Sequence, residues 1–481
     1  MEVLTINHKN FIAGESQTDL FDDAGFSPAS IDLNLTATRG ELNFISTPTD
    51  RGGATLTGNV IADTFDPAFL TNLGNILLDD DGAIYSFTGS TLTKKQTSLH
   101  NFAIGTSDII NFKDNFYITY GGGGVNSRAG ISQLDYNLGT LNDEWWTMLE
   151  PGYAGTSNDD RFWRHPMEVV EKNMFIANKN IIYYWDGTTS GTAFTLPTDV
   201  NVTTLRKNTD GRTLLAFTGN VADASHTQAN KGKVYYCDPT LQGAAVDGWS
   251  REVEIEAQVE GSRVMGGVVY VTWGKNFGYF DGSGLVKLKE FETSGTTYSH
   301  NIKSMDDILV TRDGVNVLAY GDLGQGKVWW NIFQNTTNSN AINNITYKGD
   351  NKLLVAYSDG AGAGDMVEID YDTAGVLGSW VSNKIRFGSK VHISRIEVTH
   401  GETDTSGTTT IRLAQRNTEG DTTTVARGDA GIIEDITYVN QAVTESVAQC
   451  DIKTSIFQLY VASVTDTVGI KEIRIYYDPI K

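Results

Sequence analysis

The sequence predicts an all-β protein: a β-propeller of about seven blades followed by a C-terminal antiparallel β-sandwich. Three observations point there. A two-strand unit recurs seven times, the chain is rich in glycine, threonine and asparagine with no long helical period, and the strand texture changes after Trp380.

The clearest copy of the unit is Asn173–Asp186, NMFIANKNIIYYWD, in which Asn178-Lys179-Asn180 turns between two apolar runs. The others are Asn75–Thr88, Asn115–Asp135, Thr213–Asp238, Val268–Asp281, Asn316–Asn331 and Lys352–Asp370. Their closing residues, Thr88, Asp135, Asp186, Asp238, Asp281, Asn331 and Asp370, are separated by 47, 51, 52, 43, 50 and 39 positions. A period of about 40–50 residues with several strands per unit is the signature of a propeller blade. One small twisted sheet cannot bury both of its apolar faces, whereas a ring of sheets buries each face against a neighbour. This accounts for runs such as Ile181–Trp185, which are apolar almost throughout. Ile182 and Tyr184 fall on one face of that strand and Ile181, Tyr183 and Trp185 on the other, so both faces are expected to meet neighbouring blades.

An innermost strand precedes most hairpins, in SDIINFKD, HPMEVVEK, VTTLRKN, GSRVMGG, DDILVTRDG and INNITYKGD. Candidate outer strands are Trp145–Leu149, Ala193–Leu196, Trp249–Ile255, Leu285–Phe291 and Trp380–Phe387. Sequence alone does not pair outer strands, so six and eight blades remain open beside seven.

The chain divides into three parts: an N-terminal arm with closing strands over 1–60, the propeller over 61–380, and the sandwich over 381–481. In the first part, Glu41–Ser46 and Ala54–Ala62 read as strands, one of which would supply the outer strand that closes the last blade and removes an open edge. In the third, longer alternating strands such as KVHISRIEVTH and IKEIRIYYD have one face buried and one wet, which fits two packed sheets.

The formal charge of −22 argues against nucleic-acid binding, which draws its affinity from clustered Lys and Arg. Cys237 and Cys450, the two cysteines, lie 213 positions apart and are not expected to pair. The N-terminus lacks a basic start followed by an apolar core, and no stretch approaches the ~18 apolar residues of a membrane span. The expectation is a product made in the cytoplasm with no membrane span.

No constellation of chemical residues stands out. Gly321–Lys327 fits the first seven places of a phosphate-binding loop, but Val328 stands where a Ser or Thr should hold magnesium, and a strand follows where a helix is needed. Asp79-Asp80-Asp81-Gly82 crowds three carboxylates, yet a calcium loop needs alternate ligands and a distal bidentate Glu, and Asp-Gly is a hairpin signal. The glycine clusters at 121–124 and 360–364 lie between strands and read as turns. The seven histidines lack close metal-ligand spacing, although His392 and His400 would share a strand face if the strand ran unbroken. There is no G-x-S-x-G elbow, and no carboxylate pair is singled out for glycoside cleavage. The tryptophans, Trp145, Trp146 and Trp163 among them, sit mostly in or beside strands, where packing is the first reading and a sugar platform the second. Catalytic, cofactor-binding and metal residues are therefore all expected to be none.

Among propeller families the WD40 pattern fails, since Trp185-Asp186 is the one WD pair; Gly266-Gly267 matches a kelch blade once, and sialidase boxes do not occur. The chain resembles tailed-bacteriophage virion proteins, in which a strand-rich arm, here around Gly40–Asn59, leads into a degenerate propeller and a β-sandwich, here ending in FQLYVASVTDTVGIKEIRIYYDP. The resemblance covers most of the chain as architecture and texture, with no diagnostic motif. It implies a non-enzymatic structural part of the virion tail, at tip, nozzle or baseplate, assembling with other tail proteins in a homo-oligomeric ring. A receptor- or glycan-binding module on the particle and a propeller-scaffold glycan-cleaving enzyme are the alternatives, because fold alone does not choose among them.

Overall fold

The computed structural model describes residues 1–12, 30, 33–35, 41–51, 56–57, 60–64, 75–99, 108–120, 130–146, 165–220, 231–241, 248–291, 302–305, 307–323, 326–335, 341–349, 351–358, 364–371, 374–375, 378–382, 385–403, 406–415, 431–463 and 469–480. Over these residues the regular structure is antiparallel sheet, apart from the short helix His8–Ile12 and a single turn at Pro239–Leu241.

Six sheets each take four consecutive strands. They run from Val60–Thr64 to Thr91–Thr97, Ile109–Phe112 to Leu141–Trp146, Met167–Val170 to Ser190–Thr195, Val200–Lys207 to Trp249–Ile255, Gly261–Met265 to Leu285–Glu290, and Lys303–Met305 to Lys327–Gln334. A seventh contains Ile342–Gly349, Lys352–Ser358 and Gly364–Asp370, and its outer strand is Thr49–Asp50 from the other end of the chain. The architecture is propeller-like.

Tight turns join the strands. Gly266 and Gly267 both have positive φ, 56° and 73°, as a two-residue hairpin of the primed type requires. The Gly-Gly pair that matched a kelch blade thus has a local, conformational reason.

Apolar clusters lie between successive sheets. Phe175, Ala177 and Ile182 of the third sheet meet Leu205, Leu214 and Tyr235 of the fourth, while Met174 and Ile176 meet Phe112, Tyr117 and Ile131 of the second. Tyr184 packs with the first of these groups, and Tyr183 and Trp185 with the second, so the strand does use both faces. Leu354, Ala356 and Met366 of the seventh sheet likewise share a cluster with Leu77, Tyr85 and Phe87 of the first.

Two sequence assignments are corrected here. In the sixth sheet the third strand is Asn316–Asp322 and Lys327–Gln334 is the outer strand, so the residue equivalent to the other closing positions is Asp322, not Asn331. The inner strand, Lys303–Met305, is three residues long, too short to leave a readable apolar run, so the sequence pattern sets this hairpin one strand late. The outer strand of the seventh sheet is not Trp380–Phe387; it is Thr49–Asp50, which lies between the two N-terminal runs expected to close the last blade. Trp380–Val381 pairs instead with Leu459–Ser463.

The residues after 380 form two four-stranded sheets. One holds Trp380–Val381, Leu459–Ser463, Thr408–Gln415 and Gly431–Val439; the other holds Ile470–Pro479, Ile385–His400, Glu445–Phe457 and, unforeseen from the sequence, the N-terminal strand Glu2–Asn7. A single apolar cluster takes Ile393 and Ile475 from one sheet, Ile411 and Val461 from the other, and Val317, Trp330 and Val355 from the sixth and seventh propeller-like sheets.

The N-terminal residues stitch these parts together. Phe11 meets the fully buried Trp380 edge-on at 5.3 Å, and Ser30 Oγ both accepts from Val381 N and donates to Val381 O. Leu42 exchanges two backbone hydrogen bonds with Ile470. Asn43–Ile45 lies between Leu33–Asn34 and Ala374–Gly375 in a small sheet. Beyond Thr49–Asp50, Arg51 and Lys348 both reach Glu368, at 3.3 and 2.6 Å, and Thr57 Oγ1 donates to the buried Asp79 of the first sheet.

Two outcomes follow from this packing. Burying an aliphatic side chain contributes about 1.5–3 kcal/mol, and Ile182→Asp adds an unpaired buried charge, so its loss of stability in denaturant unfolding should exceed that range. Val439→Asp, at an exposed site, should shift the midpoint little. Glu368→Ala should cost about 1.5–3 kcal/mol, because two cations lose their shared acceptor.

Candidate interaction surface

Five closing aspartates, Asp135, Asp186, Asp238, Asp281 and Asp322, are turn caps, whereas Asp370 pairs with Lys352 at 3.4 Å. Asp186 accepts from Thr188 N, Thr189 N and Thr189 Oγ1, and Asp281 from Ser283 N, Ser283 Oγ and Gly284 N. Asp135 accepts from Gly139 N, Asp238 from Thr240 N and Oγ1, and Asp322 from Gly326 N. Each carboxylate satisfies backbone donors of the turn between the third and fourth strands, the ordinary work of Asp in such turns. The bonds from Thr189 hold the Asp186 carboxyl below its usual range, and those from Ser283 do the same for Asp281.

The other residues weighed from the sequence are equally occupied. Asp79 Oδ1 accepts from Ala83 N and Oδ2 from Tyr85 Oη, so the acidic run is a hairpin turn with its first carboxylate facing inward. Lys327 donates to Tyr270 Oη at 2.6 Å from the start of a strand. His392 and His400 do not share a face, because the strand bulges between Ile393 and Arg395. His400 is buried, with Nδ1 against Gly401 O and Nε2 against Ser446 Oγ, whereas His392 is partly exposed. Trp145, Trp146 and Trp185 are half-buried and pack edge-to-face with one another and with Tyr117 and Tyr183. His100, Trp163, His226, His300, the 121–124 cluster and most of the 360–364 cluster lie outside the described residues. Among the described residues no group of three His, Cys, Asp or Glu side chains converges.

Two polar arrangements were not legible beforehand. The first links the inner strands. Arg206 donates to Glu168 on the preceding sheet at 2.8 Å and to Ser262 on the following one at 3.1 Å, and Arg263 repeats the step to Ser304. Asp108 accepts from Met167 N of the next sheet; burial pushes its carboxyl up, against the pull of that bond and of Arg206. These groups tie neighbouring sheets to one another.

The second is the outer face of the C-terminal sheet that contains the N-terminal strand. Its register sets three rows of four residues side by side: Val3, Tyr476, Arg395, Gln449; Thr5, Arg474, Glu397, Val447; and Asn7, Glu472, Thr399, Glu445. Alternation turns the intervening residues Ile473, Ile475, Ile396 and Val398 into the core. Arg395 lies over the Tyr476 ring at 4.1 Å and reaches Glu397 at 2.8 Å, and Tyr476 Oη donates to Glu397 at 2.5 Å. Arg474 reaches Glu472 at 2.5 Å. Val3 and Val447 flank this centre, 48% and 42% exposed. The face is a preassembled array of donors, acceptors and one aromatic ring, suited to matching another surface. Only alternation in IEVTH and IRIYY hinted at it; the alignment of the rows is a matter of pairing.

No protein-family model and no curated protein matches the chain. Among solved structures it is similar to the computationally designed Ika8 protein, at 12% identity over 68% of this chain and 89% of that one, with a TM-score of 0.39. A likeness that slight bears on neither ancestry nor function.

His165, beside the inner strand of the third sheet, gives the protein a pH dependence. It is buried, Nδ1 faces Ala177 O at 3.2 Å, Nε2 has no partner among the described residues, and burial pushes it down to about 4. The unfolded chain takes up its proton near pH 6.5, so the stability that neutral His165 confers is complete above that value and declines as pH falls towards 4. The decline should reach about 3 kcal/mol. Thermal melts between pH 7 and 4 should show it, and His165→Leu should flatten it.

Proposed function

We propose that the protein is a structural component that works through protein–protein assembly, and that it belongs to the tail of a bacteriophage particle. In this reading it is a closed seven-bladed propeller over 61–380, sealed by closing strands from an N-terminal arm over 1–60, with a β-sandwich over 381–481 presenting the contact surface. The observation that carries the assembly role is the outer face around Arg395 and Tyr476. Arg and Tyr are favoured at the centres of protein interfaces, where surrounding contacts exclude water, and Val3 and Val447 flank them here. The tail assignment rests on the resemblance in architecture, and the homo-oligomeric ring and the virion location come with it. The Arg206, Glu168 and Ser262 contacts support a rigid body, since their hydrogen bonds run between sheets, and the non-enzymatic role is part of this reading.

The test is Arg395→Glu combined with Tyr476→Ala. These outward substitutions should leave the melting temperature near that of the parent, while the variant should fail to enter particles in a complementation assay and should be missing from purified virions. Normal incorporation would sink the assembly reading at this face. Loss of glycan or receptor binding with assembly intact would favour the recognition module instead.

A further inference from the structure

The attachment of residues 1–12 has a property beyond the proposed assembly role and independent of it. Among the described residues Glu2–Asn7 is an edge strand, paired with Ile470–Pro479 in a six-residue register, from Glu2 opposite Tyr477 to Asn7 opposite Glu472. The N-terminal ammonium meets Asp478 at 2.7 Å. After the strand, Asn7 Oδ1 accepts from Lys9 N at the start of the short helix, and Phe11 enters against Trp380. Ile6 and Phe11 are the buried anchors of this arm.

The arm's partners, among them Trp380, the strand over 470–479 and the apolar cluster that includes Leu33, Leu42 and Phe44, lie outside residues 1–12, so an identical arm from a neighbour would find the same ones. Seventeen residues, 13–29, separate Ile12 from Ser30, where the next described contact begins. A chain of that length reaches at most about 65 Å, enough to span to a touching copy without moving Ser30 or the strands beyond it. The stretch carries Glu15, Asp19, Asp22 and Asp23 and no Lys or Arg, in a protein of charge −22.

We propose that residues 1–12 form an exchangeable arm, and that the edge of Ile470–Pro479 together with the Trp380 pocket receives the same arm from a second copy of this chain. The contacts in cis and in trans are the same, so the balance is set by effective concentration, which for a connector of this kind is of millimolar order. Dilute protein keeps its own arm; crowded protein exchanges it. Glu2–Asn7 carries no Lys or Pro to deter pairing, and exchange satisfies both edges without leaving a new one open.

The full-length chain tests this directly. Val3 and Tyr476 are opposite one another on the outer face, as are Thr5 and Arg474. Chains bearing Val3→Cys are mixed at about 1 mM with chains bearing Tyr476→Cys, both in a Cys450→Ser background, then oxidised and run on a non-reducing gel. The expected result is a disulfide-linked heterodimer that is lost on dilution before oxidation. A mixture of Val3→Cys with Glu472→Cys, which is out of register, should give none. Thr5→Cys with Arg474→Cys serves as the second in-register pair should the first disturb folding. Absence of the heterodimer for both in-register pairs, or equal yield in and out of register, would overturn the proposal.

Discussion

The seventh propeller-like sheet has three strands of its own, and much of the remaining structure depends on how it obtains a fourth. A sheet edge is a row of unsatisfied backbone donors and acceptors, and an open one invites pairing with other chains. Thr49–Asp50 covers it, opposite Val367 and Glu368, and Arg51 N extends the pairing to Met366 O. The charge cluster there reinforces the pairing: burial works against the Glu368 carboxylate, but the bonds from Lys348 and Arg51 outweigh it and hold its pKa low. Lys348 also lies over Phe87 of the first sheet at 5.1 Å, so one lysine touches both sides of the seam.

Supplying that strand from the N-terminus has consequences elsewhere. The segment must travel from the C-terminal sheets, where Glu2–Asn7 and Leu42 are paired, past Ala374–Gly375 to the seam. Parts distant in sequence therefore share one apolar cluster, from Phe11 and Phe44 through Trp330 to Ile475. Such contacts bridge the two ends of the chain, and the loop-closure entropy they demand makes them late and slow to form.

The polar groups divide into two kinds of work. On the turns, aspartates bond backbone donors two to four residues ahead and fix strand register locally. Along the inner strands, Arg206, Arg263 and Asp108 bond across to the next sheet and fix sheets relative to one another. The outer C-terminal face differs from both, because Arg395, Tyr476 and Glu397 bond within their own sheet and keep one side in solvent. An array whose geometry is already set loses little freedom when a partner covers it.

The sequence by itself determined whatever depends on neighbours along the chain. The hairpins, their turns and the two-faced burial of Ile181–Trp185 follow from alternation and turn chemistry over a dozen residues, and so were readable. The recurring closing aspartate was visible as a pattern, though its role as a cap needed the turn geometry. What only the tertiary structure decided is which distant edges meet: Thr49–Asp50 with the seventh sheet, Glu2–Asn7 with Ile470–Pro479, and Arg206 with Glu168 and Ser262. A two-residue strand or a lone arginine carries no periodicity, and backbone pairing is indifferent to side-chain identity. Those choices are made by the burial and edge satisfaction of the whole chain, which no local window of sequence contains.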